Sequence, residues 1–120
     1  MLIIDDSSTM RKLLALIGSE LGAETAQAED GDAALDCVAR DPAFDVALVD
    51  WDMPRMNGLD FVQAVRARPE LAGMKLMMVT SHHTAQDVRA ALALGADDFL
   101  MKPLDTDMVA MKLRGLGLLE

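Results

Sequence analysis

The segment Val46-Ala47-Leu48-Val49-Asp50 decides the fold of this chain of 120 residues. Its first four residues are apolar, so a strand formed by them would be apolar on both faces. That pattern is typical of a parallel strand that helices cover on both sides. Asp50 follows the apolar run directly. The segment therefore predicts a central parallel strand with a carboxylate at its carboxyl end.

Short apolar runs and longer amphipathic stretches alternate on either side of this strand. The predicted strands cover residues 2–4, 24–28, 46–49, 76–79 and 98–101. The predicted helices run from the cap residues 7–9 to Gly22, over 32–40, 58–68 and 84–94, and onward from a cap near Asp105. Five β/α units without a repeat or linker predict an open parallel sheet with helices on both faces. The fold class is α/β, and we expect a single domain over residues 1–120.

The first predicted helix is amphipathic. Its apolar positions recur at helical intervals, which predicts one buried stripe along the helix. The stripe consists of Met10, Leu13, Leu14, Ile17 and Leu21.

The composition excludes several classes of protein. The chain is 52% hydrophobic and 26% charged, which favours a folded domain over a disordered one. Twenty acidic residues against eleven basic ones give a net charge of −9, so nucleic acid is disfavoured as a direct partner. The apolar runs are too short for a membrane span, and no basic leader precedes the first strand. The single cysteine, Cys37, cannot form an internal disulfide, and we expect a cytoplasmic protein.

Polar residues follow the predicted strands at the edge where ligands bind in parallel sheets. Asp5 and Asp6 follow the first strand, Asp50 the third, Thr80 the fourth and Lys102 the fifth. Three carboxylates at one edge repel one another unless a cation lies among them. Oxygen ligands without His or Cys favour Mg²⁺. The sequence therefore predicts a magnesium site.

Magnesium in such a site commonly binds phosphoryl oxygens, which predicts a phosphoryl group as ligand or substrate. Lys102 can neutralise the phosphoryl charge, and the Thr80 hydroxyl can donate a hydrogen bond to a phosphoryl oxygen. Asp50 can act as the nucleophile and hold the group as an acyl phosphate.

Four segments at the strand ends carry the motifs of a known family. They are Ile3-Ile4-Asp5-Asp6-Ser7, Asp50-Trp51-Asp52-Met53-Pro54-Arg55-Met56-Asn57-Gly58, Val79-Thr80-Ser81 and Phe99-Leu100-Met101-Lys102-Pro103. On these segments the chain resembles a receiver domain of the two-component response regulators, from Leu2 to about Leu116. The resemblance implies a flavodoxin-like, doubly wound sheet of five strands in the order 2-1-3-4-5, with five helices in three layers.

The resemblance also implies the metal ligands and the phosphoacceptor. It makes Asp50 the phosphoacceptor and a metal ligand, Asp6 a direct ligand, and Asp5 an acid that acts mostly through metal-bound water. Asp52 would lend its backbone carbonyl to the Mg²⁺.

Further residues match the family's switching machinery. The resemblance implies that Thr80 and Lys102 contact the phosphoryl group and that Phe99 is a switching aromatic residue. It also implies a cis peptide bond between Lys102 and Pro103.

The expected function is a signalling switch rather than an enzyme, since such a domain catalyses only its own phosphoryl transfer and dephosphorylation. A phosphohistidine of a sensor kinase or a phosphotransfer protein would donate the group to Asp50. Phosphorylation would reshape the surface of the fourth helix, fifth strand and fifth helix, where a separate output protein would dock. The protein would be a monomer or a phosphorylation-dependent dimer. Trp51 and the loop after it are most similar to chemotaxis regulators that bind the flagellar motor switch.

Two alternatives remain open from the sequence. Asp50-Trp51-Asp52 also has the Asp-x-Asp spacing of phosphatases of the haloacid-dehalogenase type. The chain could also be a receiver module cut from a larger regulator or hybrid kinase. We further expect Asp52 and His82 to tune the lifetime of the phosphorylated state, because an acid or an imidazole there could position or block the attacking water.

Overall fold

The computed structural model describes residues 1–41, 43–53, 56–81 and 84–119, and these form one parallel sheet with helices on both faces. The strands are β1 (Leu2–Ile4), β2 (Ala26–Ala28), β3 (Val46–Asp50), β4 (Lys75–Thr80) and β5 (Asp98–Met101). The helices are α1 (Ser8–Glu20), α2 (Gly31–Arg40), α3 (Gly58–Arg66), α4 (Ala85–Leu94) and α5 (Thr106–Gly115), with a short 3-10 helix at Pro69–Leu71. The strand order is β2-β1-β3-β4-β5, which confirms the predicted flavodoxin-like topology.

The central strand β3 is buried along its whole length, as its apolar sequence predicts. Alternate residues of the sheet supply two separate cores. Ala47 and Val49 pack with α2 and α3 on one face, whereas Val46 and Leu48 pack with α1 and α5 on the other. The two cores make the three layers of the fold.

Each helix begins with a side chain that accepts a hydrogen bond from a backbone N–H of the first turn. These N-cap residues are Ser7, Asp30, Asn57, Thr84 and Asp105. Such caps satisfy N–H groups that have no partner within the helix. Because each cap follows a strand by a few residues, the helices begin at the same edge of the sheet as the carboxyl ends of the strands.

The structure corrects several details of the sequence prediction. Leu13 is 40% exposed, whereas Leu14 and Ile17 are buried, because α1 turns only this narrower stripe toward the sheet. The second strand is limited to Ala26–Ala28, in register with the three residues of β1. The third helix ends at Arg66, two residues earlier than predicted.

Within residues 1–41, 43–53, 56–81 and 84–119, no helix has both the length and the apolarity that crossing a membrane requires.

Candidate functional site

Three carboxylates meet at the carboxyl edge of the sheet, as the sequence predicts. Asp5 directly follows β1, and Asp50 ends β3, which pairs with β1 in the register Ile4 to Val49. Asp5, Asp6 and Asp50 each offer an oxygen, and these oxygens lie within 4.8 Å of one another. Asp5 and Asp50 are buried, with 1% and 6% of their surface exposed, whereas Asp6 is exposed. The arrangement concentrates negative charge in a half-enclosed site.

Asp5 is held firmly but leaves one oxygen without a hydrogen bond. Its Oδ1 accepts a bond from the Ser7 N–H at 2.9 Å, and its backbone carbonyl accepts one from Arg11 Nη1 at 2.7 Å. Its Oδ2 is buried and has no hydrogen-bond partner among the described residues. A buried carboxylate oxygen without a partner is costly, and here it points into a cluster of hard oxygen donors. This donor set fits Mg²⁺.

Lys102 faces the carboxylates from the end of β5. Its Nζ lies 3.6 Å from Asp50 Oδ1 and 3.7 Å from Asp5 Oδ2. Both distances exceed the length of about 2.7–2.9 Å that is usual for a charge-assisted hydrogen bond. The Lys102 N–H donates to the Thr80 carbonyl at 2.7 Å, and the Lys102–Pro103 peptide bond is cis, as expected. The ammonium therefore attracts both carboxylates without hydrogen-bonding tightly to either.

The electrostatics of the site act mainly on Asp50. Burial, reinforced by the charge of Asp5 and to a smaller extent Asp6, raises the pKa of Asp50 from 3.8 to about 6. Lys102 and a hydrogen bond from the Asp52 backbone lower this pKa and offset only part of that effect. The site therefore holds more negative charge than its own cation neutralises, which favours binding of a further cation.

The other predicted site residues lie around this cluster. Thr80 ends β4 and is 1% exposed, while its neighbour in the sheet is Met101, which precedes Lys102. Phe99 is partly buried on β5. The Asp52 side chain is exposed, and His82 lies outside the described residues. The structure thus brings Asp5, Asp6, Asp50 and Lys102 together and places Thr80 at the same edge.

Sequence reasoning assigned no role to two residues that shape the site. Arg11 fixes the backbone of Asp5 from one turn into α1. Gly58 lies so close to β3 that a Cβ there would be 2.7 Å from the Asp50 carbonyl oxygen, so no larger residue fits without a shift. The turn signal Asn57-Gly58 was visible in the sequence, but the close approach was not.

Comparisons with known proteins agree with this geometry. The family model of the response regulator receiver domain matches residues 1–114. The chain belongs to this family. Receiver domains are signalling proteins of two-component systems rather than classical enzymes, and they bind Mg²⁺ at an acidic pocket. They interact with histidine kinases or phosphotransfer proteins and with output partners.

Several relatives of this receiver domain are chemotaxis proteins. It is 35% identical over 114 residues to a chemotaxis protein CheY homolog of Campylobacter jejuni. The matched residues cover 94% of this chain and 88% of the relative. It is 34% identical over 113 residues to the chemotaxis protein CheY of Pseudomonas aeruginosa, with 93% and 90% covered. The solved structure of chemotaxis protein CheY4 of Vibrio cholerae superposes with a TM-score of 0.89 at 30% identity, covering 95% and 94% of the two chains.

Proposed function

We propose that this receiver domain is a phosphorylation-activated switch in which Asp50 accepts a phosphoryl group from a phosphohistidine of a sensor kinase or phosphotransfer protein. The observation that carries the proposal is the position of the Asp50 carboxylate. It ends the central strand, is buried, and lies 3.6 Å from Lys102 Nζ and within 4.8 Å of oxygens of Asp5 and Asp6. The proposed nucleophile therefore lies beside a cation and beside the carboxylates that could bind a metal ion.

The proposed transfer needs no external redox partner. An Asp50 oxygen forms the new bond to phosphorus while the bond from phosphorus to the donor imidazole breaks, and the imidazole nitrogen keeps the bonding electrons. Lys102 offsets the charge that gathers on the phosphoryl oxygens, and the Thr80 hydroxyl donates a hydrogen bond to one of them.

We assign the metal ligands from the same cluster. Asp5, Asp6 and Asp50 supply carboxylate oxygens, and Asp52 supplies its backbone carbonyl. Bound Mg²⁺ would neutralise the carboxylates and the phosphoryl oxygens, so that an anionic donor can approach an anionic nucleophile. Lys102 alone does not provide this neutralisation, since the pKa of Asp50 stays raised beside it.

Phosphorylation would then act on the surface formed by α4, β5 and α5. The phosphoryl group adds about 1.5–2 negative charges and new acceptors. The Thr80 hydroxyl turns toward them, Phe99 turns inward behind it, and the outer surface changes shape. An output protein docks there. The relatives are named as chemotaxis proteins, which supports an output partner in chemotaxis, and we propose the flagellar motor switch as that partner.

The test of the phosphoacceptor is intact mass after incubation with acetyl phosphate and Mg²⁺. We expect one phosphoryl group per chain, none when EDTA replaces the metal, and none in Asp50→Asn. Asp36→Asn, which changes an exposed acid on α2 outside the site, is the matched control and keeps the adduct. An adduct that persists in Asp50→Asn, or that forms equally in EDTA, would refute the proposal.

The partner is tested with the same sample. Phosphorylated protein should bind the isolated flagellar motor switch protein more tightly than unphosphorylated protein or Asp50→Asn, and light scattering reports whether it is then a monomer or a dimer. Equal binding of all three forms would exclude the motor switch protein as a phosphorylation-controlled partner.

The lifetime of the phosphorylated state is assigned to Asp52 and His82. The Asp52 carboxylate is exposed two residues beyond the acceptor, where water approaches. Replacing both residues by Ala should change the dephosphorylation rate, and an unchanged rate would remove them from this role.

The Asp50–Asp52 spacing also permits a phosphatase in which Asp52 is the general acid. The two functions differ in turnover. We expect this protein to stop after one phosphoryl group and to leave a phosphate monoester such as p-nitrophenyl phosphate intact, whereas steady release of nitrophenol would favour the phosphatase.

A further inference from the structure

Lys112 of α5 makes two contacts that tie it to β5. Its Nζ lies 2.9 Å from Asp98 Oδ1 and 5.0 Å from the centroid of the Phe99 ring. An ammonium within about 6 Å of a ring centroid is attracted to the π face. One side chain thus joins a carboxylate and an aromatic ring that are adjacent in sequence.

These contacts cross the edge of the sheet. Strand β5 is one of the two edge strands of the sheet, and Phe99 packs against the core on the α2 and α3 face. Leu100 and the α5 residues Val109 and Leu113 belong to the opposite core. Lys112 therefore reaches from the α5 side around the edge strand to a ring that belongs to the other face.

The position of the ammonium is well defined. The side chains of Lys112 and Asp98 are 27% and 30% exposed, so their 2.9 Å ion pair is partly shielded from water. The Asp98 oxygen that holds the ammonium also accepts the Phe99 N–H at 2.8 Å, which places charge, carboxylate and ring in one fixed group. A ring that turned inward would leave the ammonium behind.

We propose that Lys112 is a positioning residue that holds the Phe99 ring where it lies in this structure and so raises the threshold for activation. In this position, here called outward, the ring is half-buried at β5 and contacts the Lys112 ammonium. The inference deepens the proposed function and rests on it, since it takes Phe99 as the switching side chain. A contact made in only one of two conformations shifts their equilibrium by its own free energy. For a partly exposed cation–π contact this corresponds to about a two- to five-fold change in the ratio of outward to inward rings.

Fluorine NMR of protein labelled with fluorophenylalanine measures the ring directly. The chain has three Phe, so the Phe99 resonance is identified as the one lost in Phe99→Leu. The change in its chemical shift from H₂O to D₂O grows with exposure of the ring to solvent. Lys112→Met keeps the length of the side chain and removes the charge, Lys112→Arg retains a cation, and Lys12→Met removes a charge from an exposed position on α1.

The two possible effects of Lys112→Met have opposite signs. If the lysine holds the ring outward, its loss lets the ring turn inward, and the solvent isotope shift falls. If the lysine only covers a ring that stays outward for other reasons, its loss uncovers the ring, and the isotope shift rises. A fall in Lys112→Met, with Lys112→Arg and Lys12→Met like the wild type, supports the proposal. A rise or no change overturns it.

The regulatory part of the inference is tested by the rate of phosphorylation with acetyl phosphate and Mg²⁺. Lys112→Met should react about two- to five-fold faster than the wild type, and Lys112→Arg should restore the wild-type rate. A wild-type rate in Lys112→Met, despite an inward ring, would show that the ring does not set the threshold. If the wild type forms no adduct, the proposed function itself fails, whereas the isotope shift of the unphosphorylated protein still decides whether Lys112 holds the ring.

Discussion

Two clusters of charged side chains lie at opposite edges of the same sheet and differ in how fully their atoms are paired. At the amino edge, Arg66 Nη2 contacts Asp97 Oδ2 at 2.9 Å, and its Nε donates to the Gly95 carbonyl at 2.9 Å. The same Asp97 oxygen accepts the Leu76 N–H at 2.8 Å. At the carboxyl edge, Lys102 stays 3.6–3.7 Å from two carboxylates, and one oxygen of Asp5 has no hydrogen bond among the described residues.

The difference separates a structural ion pair from a binding site. The cluster of Arg66 and Asp97 joins α3, β4 and the turn before β5. Its charged atoms are already paired at 2.8–2.9 Å, so a ligand would add little stabilisation there. The cluster of Asp5, Asp50 and Lys102 carries a raised pKa at Asp50 and an unpaired oxygen, so it is destabilising until a cation or phosphoryl group arrives. Charges that are poorly paired in the folded protein mark the site that acts on ligands.

The largest expected effect is a gain of stability when the unpaired cluster loses a charge. Folding raises the pKa of Asp50 from 3.8 to about 6, so the ionised carboxylate costs up to about 3 kcal/mol above pH 6. In metal-free buffer at pH 8, Asp50→Asn should therefore unfold at higher urea concentration than the wild type. Asp52→Asn, an exposed neighbour, is the control and should change little. If Asp50→Asn were less stable than the wild type, the cluster around Asp50 would not be destabilising in the absence of a ligand.

The free-energy cost of an ionised Asp50 in the folded protein depends on pH. A carboxylate whose pKa is raised by folding destabilises above the folded value, and the penalty disappears as the pH falls from about 6 toward 3.8. The difference in unfolding free energy between Asp50→Asn and the wild type should shrink over this range. A difference that is constant from pH 8 to pH 4 would assign it to packing rather than to charge.

The paired cluster should respond in the opposite direction. Asp97→Ala removes the partner of Arg66 and leaves the Leu76 N–H without its acceptor, which should lower the free energy of unfolding by about 2 kcal/mol. Asp98→Ala is the matched control at the next residue. The Asp98 carboxylate makes a partly exposed ion pair with Lys112 and accepts the N–H of the next residue, Phe99, and for these weaker contacts we expect a loss below about 1 kcal/mol. If urea unfolding shows equal losses of unfolding free energy in Asp97→Ala and Asp98→Ala, the Arg66–Asp97 cluster is not the stronger structural contact.

The smallest expected effect is stabilisation by Mg²⁺. A ligand that binds only the folded protein adds about 1.4 kcal/mol at ten times its Kd. Thermal unfolding should therefore shift upward with Mg²⁺ in the wild type and far less in Asp6→Asn. Asp36→Asn, an exposed acid on α2, should keep the full shift. A shift of equal size in Asp6→Asn would place the metal elsewhere.

The order of the elements was predictable because parallel strands and covering helices have different apolar periods. The five strands and the cis Lys102–Pro103 bond agree with the prediction, and each helix starts within a residue or so of its expected position. Element ends and burial were less predictable. Leu13 has the spacing of a buried residue and is exposed, because α1 turns Leu14 and Ile17, but not Leu13, toward the sheet.

The candidate site was predictable as a set of residue types but not as a set of contacts. Asp5, Asp6, Asp50, Thr80 and Lys102 follow strands and so had to reach one edge. Arg11, Gly58 and Lys112 carried no such signal. Each acts through a backbone carbonyl, a close approach or a ring that only folding brings within reach.

The sequence by itself determined the fold class, the edge of the sheet where the site lies, and the residue types that meet there. These follow from local periodicity and from the rule that parallel strands end at the same edge. Only the tertiary structure decided which charges are paired. Whether a carboxylate oxygen finds a donor at 2.9 Å, as Asp97 Oδ2 does, or lies 3.7 Å from an ammonium without a hydrogen bond among the described residues, as Asp5 Oδ2 does, depends on distances across the sheet that no local pattern encodes.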